Sequence, residues 1–306
     1  MKSPLALATA AVGAVGLSLS AQAPAPPAPV KPNDTSAAKE TAFEFPTGDY
    51  RRGLRGRGNF GVLIDRAESP FAGSWHLAED VWLPAGTSVR SITAGVVRYS
   101  DFSPSWKDRT GRMHWNLGNV VVIEHPLDPP IDGLTAVCSV YVHLGADRRV
   151  KVGDAVEKGQ VIGSIGRDRS EENGLYPAHL HFGIHKGPYI QIAPSLRREL
   201  ETAAKTTGLA FGAAPPIRGE IEIELHGEDS VLVKSKKDDA KFLLSLLVGS
   251  TAPKDKPADI VGWCKGYGDQ ETVAEWLRPS QWIAERQKEA AANAPAPAGS
   301  GVPVTK

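Results

Sequence analysis

Three of the chain's eight histidines, His179, His181 and His185, fall within the stretch PAHLHFGIHKG. On an extended strand side chains alternate, so these imidazoles share one face while Leu180, Phe182 and Ile184 share the other. A solvent-facing edge strand is one account of such a face. Repeated imidazole is an unusual choice for it, and imidazole is the commonest metal ligand in proteins. A catalytic metal site takes about three protein nitrogen or oxygen donors and keeps a fourth position for water. The stretch GSWHLAEDVWL offers His76 and Asp80, four residues apart, which fall on one side of either a strand or a helix. Glu79, at an odd offset, points the other way if the segment is extended. VCSVYVHLG adds His143, which alternation groups with Ser139 and Tyr141, while Cys138, Val140 and Val142 take the opposite face. Cys138 is thereby a poor companion ligand. Taken singly, His76 reads as a loop residue and His143 as a polar strand end; together with the H-x-H strand they supply donors enough for a metal centre.

These residues need a rigid frame. Between residues 43 and 188, short Val/Ile runs broken by Gly and Pro (GNVVVIEH, VCSVYVHL, KVGDAVEKGQVIGSIG) predict an antiparallel, all-β core. Residues 189–262 have a different texture. PSLRRELETAAKTTG predicts a helix with Ser195 as N-cap and Gly208 as stop, GEIEIELHG an alternating strand, and KKDDAKFLLSLLVG a second helix. They form a small α+β unit. Glu220, Glu222, Glu224 and His226 share one face of its strand and read as the wet side of an edge. In the closing segment, 263–289, RPSQWIAERQKEAAANA predicts an amphipathic helix with Pro279 near its start.

Residues 1–23 combine a basic start at Lys2, an apolar run and small residues at Ala21 and Ala23, the pattern of a secretory signal peptide. No other stretch is long and apolar enough to span a bilayer, so the expected product is a periplasmic or secreted protein of the cell envelope without a membrane span. Residues 24–42 and 290–306 are Pro/Ala-rich and read as a linker and a disordered tail. At 306 residues, 41% hydrophobic and 23% charged, the chain can bury a substantial core. Lys+Arg and Asp+Glu both number 35, so no net field recruits nucleic acid or anionic lipid. Cys138 and Cys264 are the two cysteines. An oxidising compartment permits a bridge between them, and two separate buried thiols fit equally well.

The segments WHLAEDVWLPAGTSVRSITAGVV, GNVVVIEH, YVHLGADRRVKVGDAVEKGQVIGSIG and AHLHFGIH, in that order, resemble the LytM/lysostaphin-type zinc metallopeptidases of family M23, which cut peptide bonds in bacterial peptidoglycan. The resemblance covers about residues 57 to 188 and returns in GYGDQETVAEWLRPSQWI. It implies a mainly β fold: an antiparallel sheet or sandwich core, interrupted here by the α+β insertion and closed by a C-terminal helix. It also implies Zn²⁺ held by His76, Asp80 and His181, with His143 and His179 acting on the bound water and the transition state. Peptidoglycan peptides are the implied substrate. The H-E-x-x-H motif of other zinc peptidases is absent, so a group other than its Glu must move the proton and steady the oxyanion.

Some relatives have lost their ligands and regulate other wall hydrolases without catalysis, an alternative opposed here by the presence of all five residues. Two histidines and a carboxylate also suit a non-haem iron, which would leave His143 and His179 without roles. Around the site, His125 reads as structural; His185 reads as a solvated strand end in preference to a residue of the cleft rim, and Trp75 and Trp82, which flank the His76–Asp80 pair, as core packing in preference to groove lining. The insertion is expected to wall the groove and restrict substrate.

Overall fold

In the computed structural model, which describes residues 43–55, 59–69, 71–103, 106–107, 113–114, 117–210, 215–226, 230–246 and 262–293, the Val/Ile runs make a seven-stranded antiparallel sheet. Its main strands are β1 (Glu79–Val81), β2 (Gly95–Ser103), β3 (Gly118–Ile131), β4 (Leu134–Leu144) and β5 (Leu180–Lys186). Strands β2, β3, β4 and β5 lie side by side, with Ala155–Val156 outside β2. Beyond β5, β1 pairs with the Leu180–Phe182 half and Trp276–Leu277 with the Ile184–His185 half. The expected signal peptide and linker lie outside the described residues, as does the tail beyond Asn293.

Strands β3 and β4 are joined through Asp132 and Gly133, both with positive φ, as a tight hairpin with native twist requires. From Ala136 onward every residue of β4 is buried, because the sheet is covered on both faces and alternation gives way to a continuous apolar run. One face carries Tyr141, Leu180, Phe182 and Ile184 against Tyr50, Trp282 and Ile283. The other carries Cys138, Val140 and Val142 with Leu77, Tyr189 and Trp276. Cys264 belongs to this second cluster, and both cysteines are buried free thiols.

Three helices brace the sheet and its satellite: α1 (Tyr50–Gly53), α2 (Pro194–Thr206) and α3 (Pro279–Ala292). Helix α3 runs three residues past the expected start of the tail and inserts Trp282 and Ile283 into the main core. Helix α2 buries Leu200 and Ala204 in a satellite core against β6 (Ile221–His226), β7 (Ser230–Ser235) and β8 (Lys241–Ser245).

Two local expectations for this satellite are corrected. The second helix is instead the strand β8, whose Phe242 and Leu244 face inward while Leu243 is 55% exposed. A short apolar run fits either period, and the ladder offered by β7 decides it. The N-cap of α2 is Ala193, with Pro194 at the first helical position and Ser195 one residue further in. Gly208, at φ 83°, follows the helix end as expected, its N–H donating to the Ala203 carbonyl.

Candidate metal centre

Strand pairing brings the three implied ligands together. His76 sits in a two-residue strand, Trp75–His76, held between Val62–Leu63 and Tyr267–Gly268. Asp80 on β1 is directly opposite His181 on β5. His76 Nε2 lies 3.1 Å from His181 Nδ1 and 3.2 Å from Asp80 Oδ1, and His181 Nδ1 is 3.2 Å from the same oxygen. Donors about 2.0–2.1 Å from a tetrahedral ion stand roughly 3.3 Å apart, so this triangle has the size and donor chemistry of a zinc site. Burial opposes charge on Asp80, but His76, His181 and His179 together hold its carboxyl well below the usual range. Burial pushes His181 down to about 4, partly opposed by its hydrogen bond to Asp80. Burial also opposes charging His76, where the Asp80 carboxylate wins and raises the pKa.

Glu79 does point away, into the core. Its carboxylate accepts from the Tyr50 hydroxyl (2.8 Å), the Ser280 N–H (2.9 Å) and the Ser280 hydroxyl (2.7 Å). On the ligand side the closing segment comes very close. Leu77 N–H donates to the Gly266 carbonyl, and Gly266 has φ 69° with so little room that an added methyl would collide with His181 Nε2.

His143 reaches the site by a route that alternation misses. His181 stands opposite Val142 and Phe182 opposite Tyr141, so a regular strand would send His143 to the Tyr141 face, away from the donor triangle. Between Asn119 and Val121 of β3 the register slips against Tyr141 and Leu144, leaving one extra residue on β4. At this bulge His143 adopts φ 64°, uncommon for a residue with a side chain, and its imidazole turns onto the ligand face. There its ring centroid lies 4.6 Å from that of His179 and 5.9 Å from that of His181.

His143 Nδ1 is 2.8 Å from the Asn173 carbonyl, and His179 Nδ1 is 2.6 Å from the Pro177 carbonyl. A carbonyl can only accept, so both Nδ1 atoms carry hydrogen, and in the neutral imidazole the remaining Nε2 presents a lone pair. Burial and the neighbouring imidazoles of His179 and His181 keep His143 well below its ordinary value. Gly118, at φ 72°, lets the Glu172–Asn173 backbone press against the start of β3, which positions the carbonyl that His143 uses.

His76, Asp80, His143 and His179 line a groove of about 570 Å³ together with Phe71, Tyr267, Trp82, Tyr176 and the exposed Arg66. Phe71 and Tyr267 stack with centroids 3.7 Å apart, and Tyr267 stacks in turn on His181. Trp82 is therefore not core packing: it lines the groove and stacks on His179. Its offset of two from Asp80, which puts it on the ligand face of an extended strand, was the available signal. Tyr176 and Tyr267 carried no comparable pattern.

His185 is not a solvated strand end either. It is buried, stacked on Trp263 at 4.0 Å, and bonded through Nδ1 to Gln191. His125 is structural, buried between the Ala94 carbonyl and the Ser139 hydroxyl. Among the described residues, none of 189–246 lines the groove. The satellite packs instead on the outer side of the closing segment, through Ser195 to Glu275 and Arg198 to Glu271.

The sequence model of Peptidase family M23 matches residues 74–193. A comparison with curated proteins gives no match. Among solved structures, a zinc-containing peptidase from Vibrio cholerae is 25% identical over 47% of this chain and 37% of its own, with a TM-score of 0.31. The catalytic domain of lysostaphin from Staphylococcus simulans is 24% identical over 47% of this chain and 90% of its own, with a TM-score of 0.30. The prophage-encoded M23 protein EnpA from Enterococcus faecalis is 20% identical over 49% and 94%, with a TM-score of 0.31. The segment that matches the family M23 model, residues 74–193, contains the donor triangle and both imidazoles beside it.

Proposed function

We propose that the chain is a zinc-dependent endopeptidase that hydrolyses peptide bonds in peptidoglycan stem peptides or cross-links, working outside the cytoplasm. The observation that carries this reading is the pairing of a three-donor triangle with two imidazoles whose Nε2 lone pairs face the same groove. Bound by His76, Asp80 and His181, a zinc ion would supply Lewis acidity and a water acidified toward a pKa of about 7. The chain's own residues do the rest. His179 Nε2, 3.7 Å from Asp80 Oδ1, accepts the proton of the attacking water and returns it to the leaving amine. His143, its Nδ1–H fixed on Asn173, presents Nε2 beside it, and the pair holds the proton in transit and meets the developing charge. Phe71, Tyr267, Trp82 and Tyr176 wall the groove with apolar surface that limits water around the scissile bond.

Periplasmic or secreted localisation rests on the signal-peptide pattern of residues 1–23. Among the described residues no helix is long and apolar enough to cross a membrane. The catalytic unit is residues 43–188 completed by 263–289, with 189–262 as an accessory unit. The test is a paired measurement of metal content and wall digestion. His181→Ala should fold and lose most of its zinc, while His179→Ala should keep zinc and lose hydrolysis at least about a hundredfold. Zinc retained at full occupancy in the first variant refutes the ligand set. Undiminished turnover in the second refutes the catalytic role.

A further inference from the structure

We propose that Trp82 is a positioning residue for His179, an inference that rests on the reading of His179 as the proton-transfer group. The His179 ring is held along its edge by one hydrogen bond, Nδ1–H to the Pro177 carbonyl, two residues earlier in the chain. That bond restrains the ring at one corner only, and a ring that turns about Cβ–Cγ gives it up. Other rings restrain its plane. His143 lies tilted at 50° with centroids 4.6 Å apart, and the Trp82 indole lies nearly parallel to the ring, stacked on its face at 19° and 4.7 Å. A stacked ring cannot rotate about its outer torsion without displacing its neighbour, so the indole sets the direction in which Nε2 points.

Trp82 is itself well anchored. Its backbone N–H donates to the Gly53 carbonyl at the end of α1 (2.9 Å), and the Arg55 guanidinium lies 5.9 Å from its ring centroid on the outside. It also leaves β1 two residues after Asp80. Asp80 and Trp82 thus lie two residues apart in the chain, the first inside β1 and the second just past its end, so the segment that supplies a candidate ligand also supplies the plate against which the base rests. The indole stacks on the base and is no part of the donor triangle, so its removal acts on the base and leaves the metal in place.

The experiment uses the full-length zinc-loaded protein and Trp82→Leu, which keeps apolar bulk without a flat face, beside Trp82→Phe, which keeps a face. Trp82→Leu should lower kcat about tenfold with zinc content unchanged by elemental analysis. Trp82→Phe should recover to within about threefold of the parent. In a His179→Ala background, Trp82→Leu should cost nothing further, because there is no ring left to orient. The imidazole ¹⁵N shifts of His179 should report a fixed Nδ1–H tautomer in the parent and a mixture in Trp82→Leu.

Losses that multiply in the double variant, or a His179 tautomer unaffected by Trp82→Leu, would overturn the inference and leave Trp82 as a groove wall read through KM. Those results leave the endopeptidase reading standing. A fully active His179→Ala, by contrast, removes the catalytic role and this inference together. Should Trp82→Leu fail to fold, Trp82→Phe and the double-variant comparison on Trp82→Phe carry the same test.

Discussion

Helices α2 and α3 begin alike and end up with different responsibilities. Each starts Pro-Ser, lacks a side-chain cap of its own, and receives a carboxylate from a distant segment onto the Ser N–H and hydroxyl. Glu275 serves Ser195 from 80 residues away; Glu79 serves Ser280 from 201. An anion at a helix start satisfies open N–H groups and complements the macrodipole. What differs is the neighbour of each carboxylate. Glu79 also accepts from Tyr50 and is followed by Asp80 of the donor triangle. Glu275 stands beside His185 and Arg198, away from the groove. The same device thus fastens the satellite in one place and braces a member of the donor triangle in the other.

The contrast is tested most severely by Glu79→Ala, which strands the buried Tyr50 hydroxyl and two part-buried donors of Ser280. We expect a loss of about 3–5 kcal/mol in denaturant unfolding and zinc affinity weakened at least about tenfold, the usual scale for groups that support a ligand from behind. Wild-type zinc affinity in a folded Glu79→Ala protein would show that Asp80 needs no such brace.

Acid provides a second lever, and it must be kept out of these measurements. Burial lowers the pKa of His125 to about 4 in the folded protein, against about 6.5 when unfolded. Below pH 6.5 the unfolded chain takes a proton that the folded chain refuses. Stability is therefore full above about pH 6.5 and falls as pH drops toward about 4, by roughly 2–4 kcal/mol. In His125→Gln this part of the pH dependence should vanish, and an unchanged acid slope would assign it elsewhere.

Glu275→Ala should have the smallest effect, about 1–2 kcal/mol, with zinc binding intact and amide-exchange protection lost first along α2. Loss of zinc in this variant would erase the distinction between the two helices.

Much of the frame is legible in the sequence because it follows simple periods. The offsets of His76 from Asp80 and of His179 from His181 survive any local twist of a strand, and the donor triangle forms where they point. Helix α3 and the Gly208 stop of α2 follow from punctuation residues. The failures occur where geometry departs from period or where partners come from afar. His143 reaches the site only through a bulge, which no alternation pattern contains. The FLLS run of β8 fits a helix as well as a strand until β7 supplies a ladder. Ser195 looks like a cap because Glu275, the actual anion, lies far along the chain. His185 looks exposed because Trp263 and Gln191, which bury it, are equally remote in sequence or loop-borne.

The pairing of Trp75–His76 with Tyr267–Gly268 has a consequence for the order of events at birth. A polypeptide emerges from its N-terminal end, and one held at residue 193 would already contain every donor of the triangle. It would still lack one of the two partner strands of His76, the Gly266 carbonyl held by Leu77 and the Ser280 groups held by Glu79. The frame of the donor triangle is therefore complete only once Ser280 has left the ribosome, long after the last of the three donors has been made.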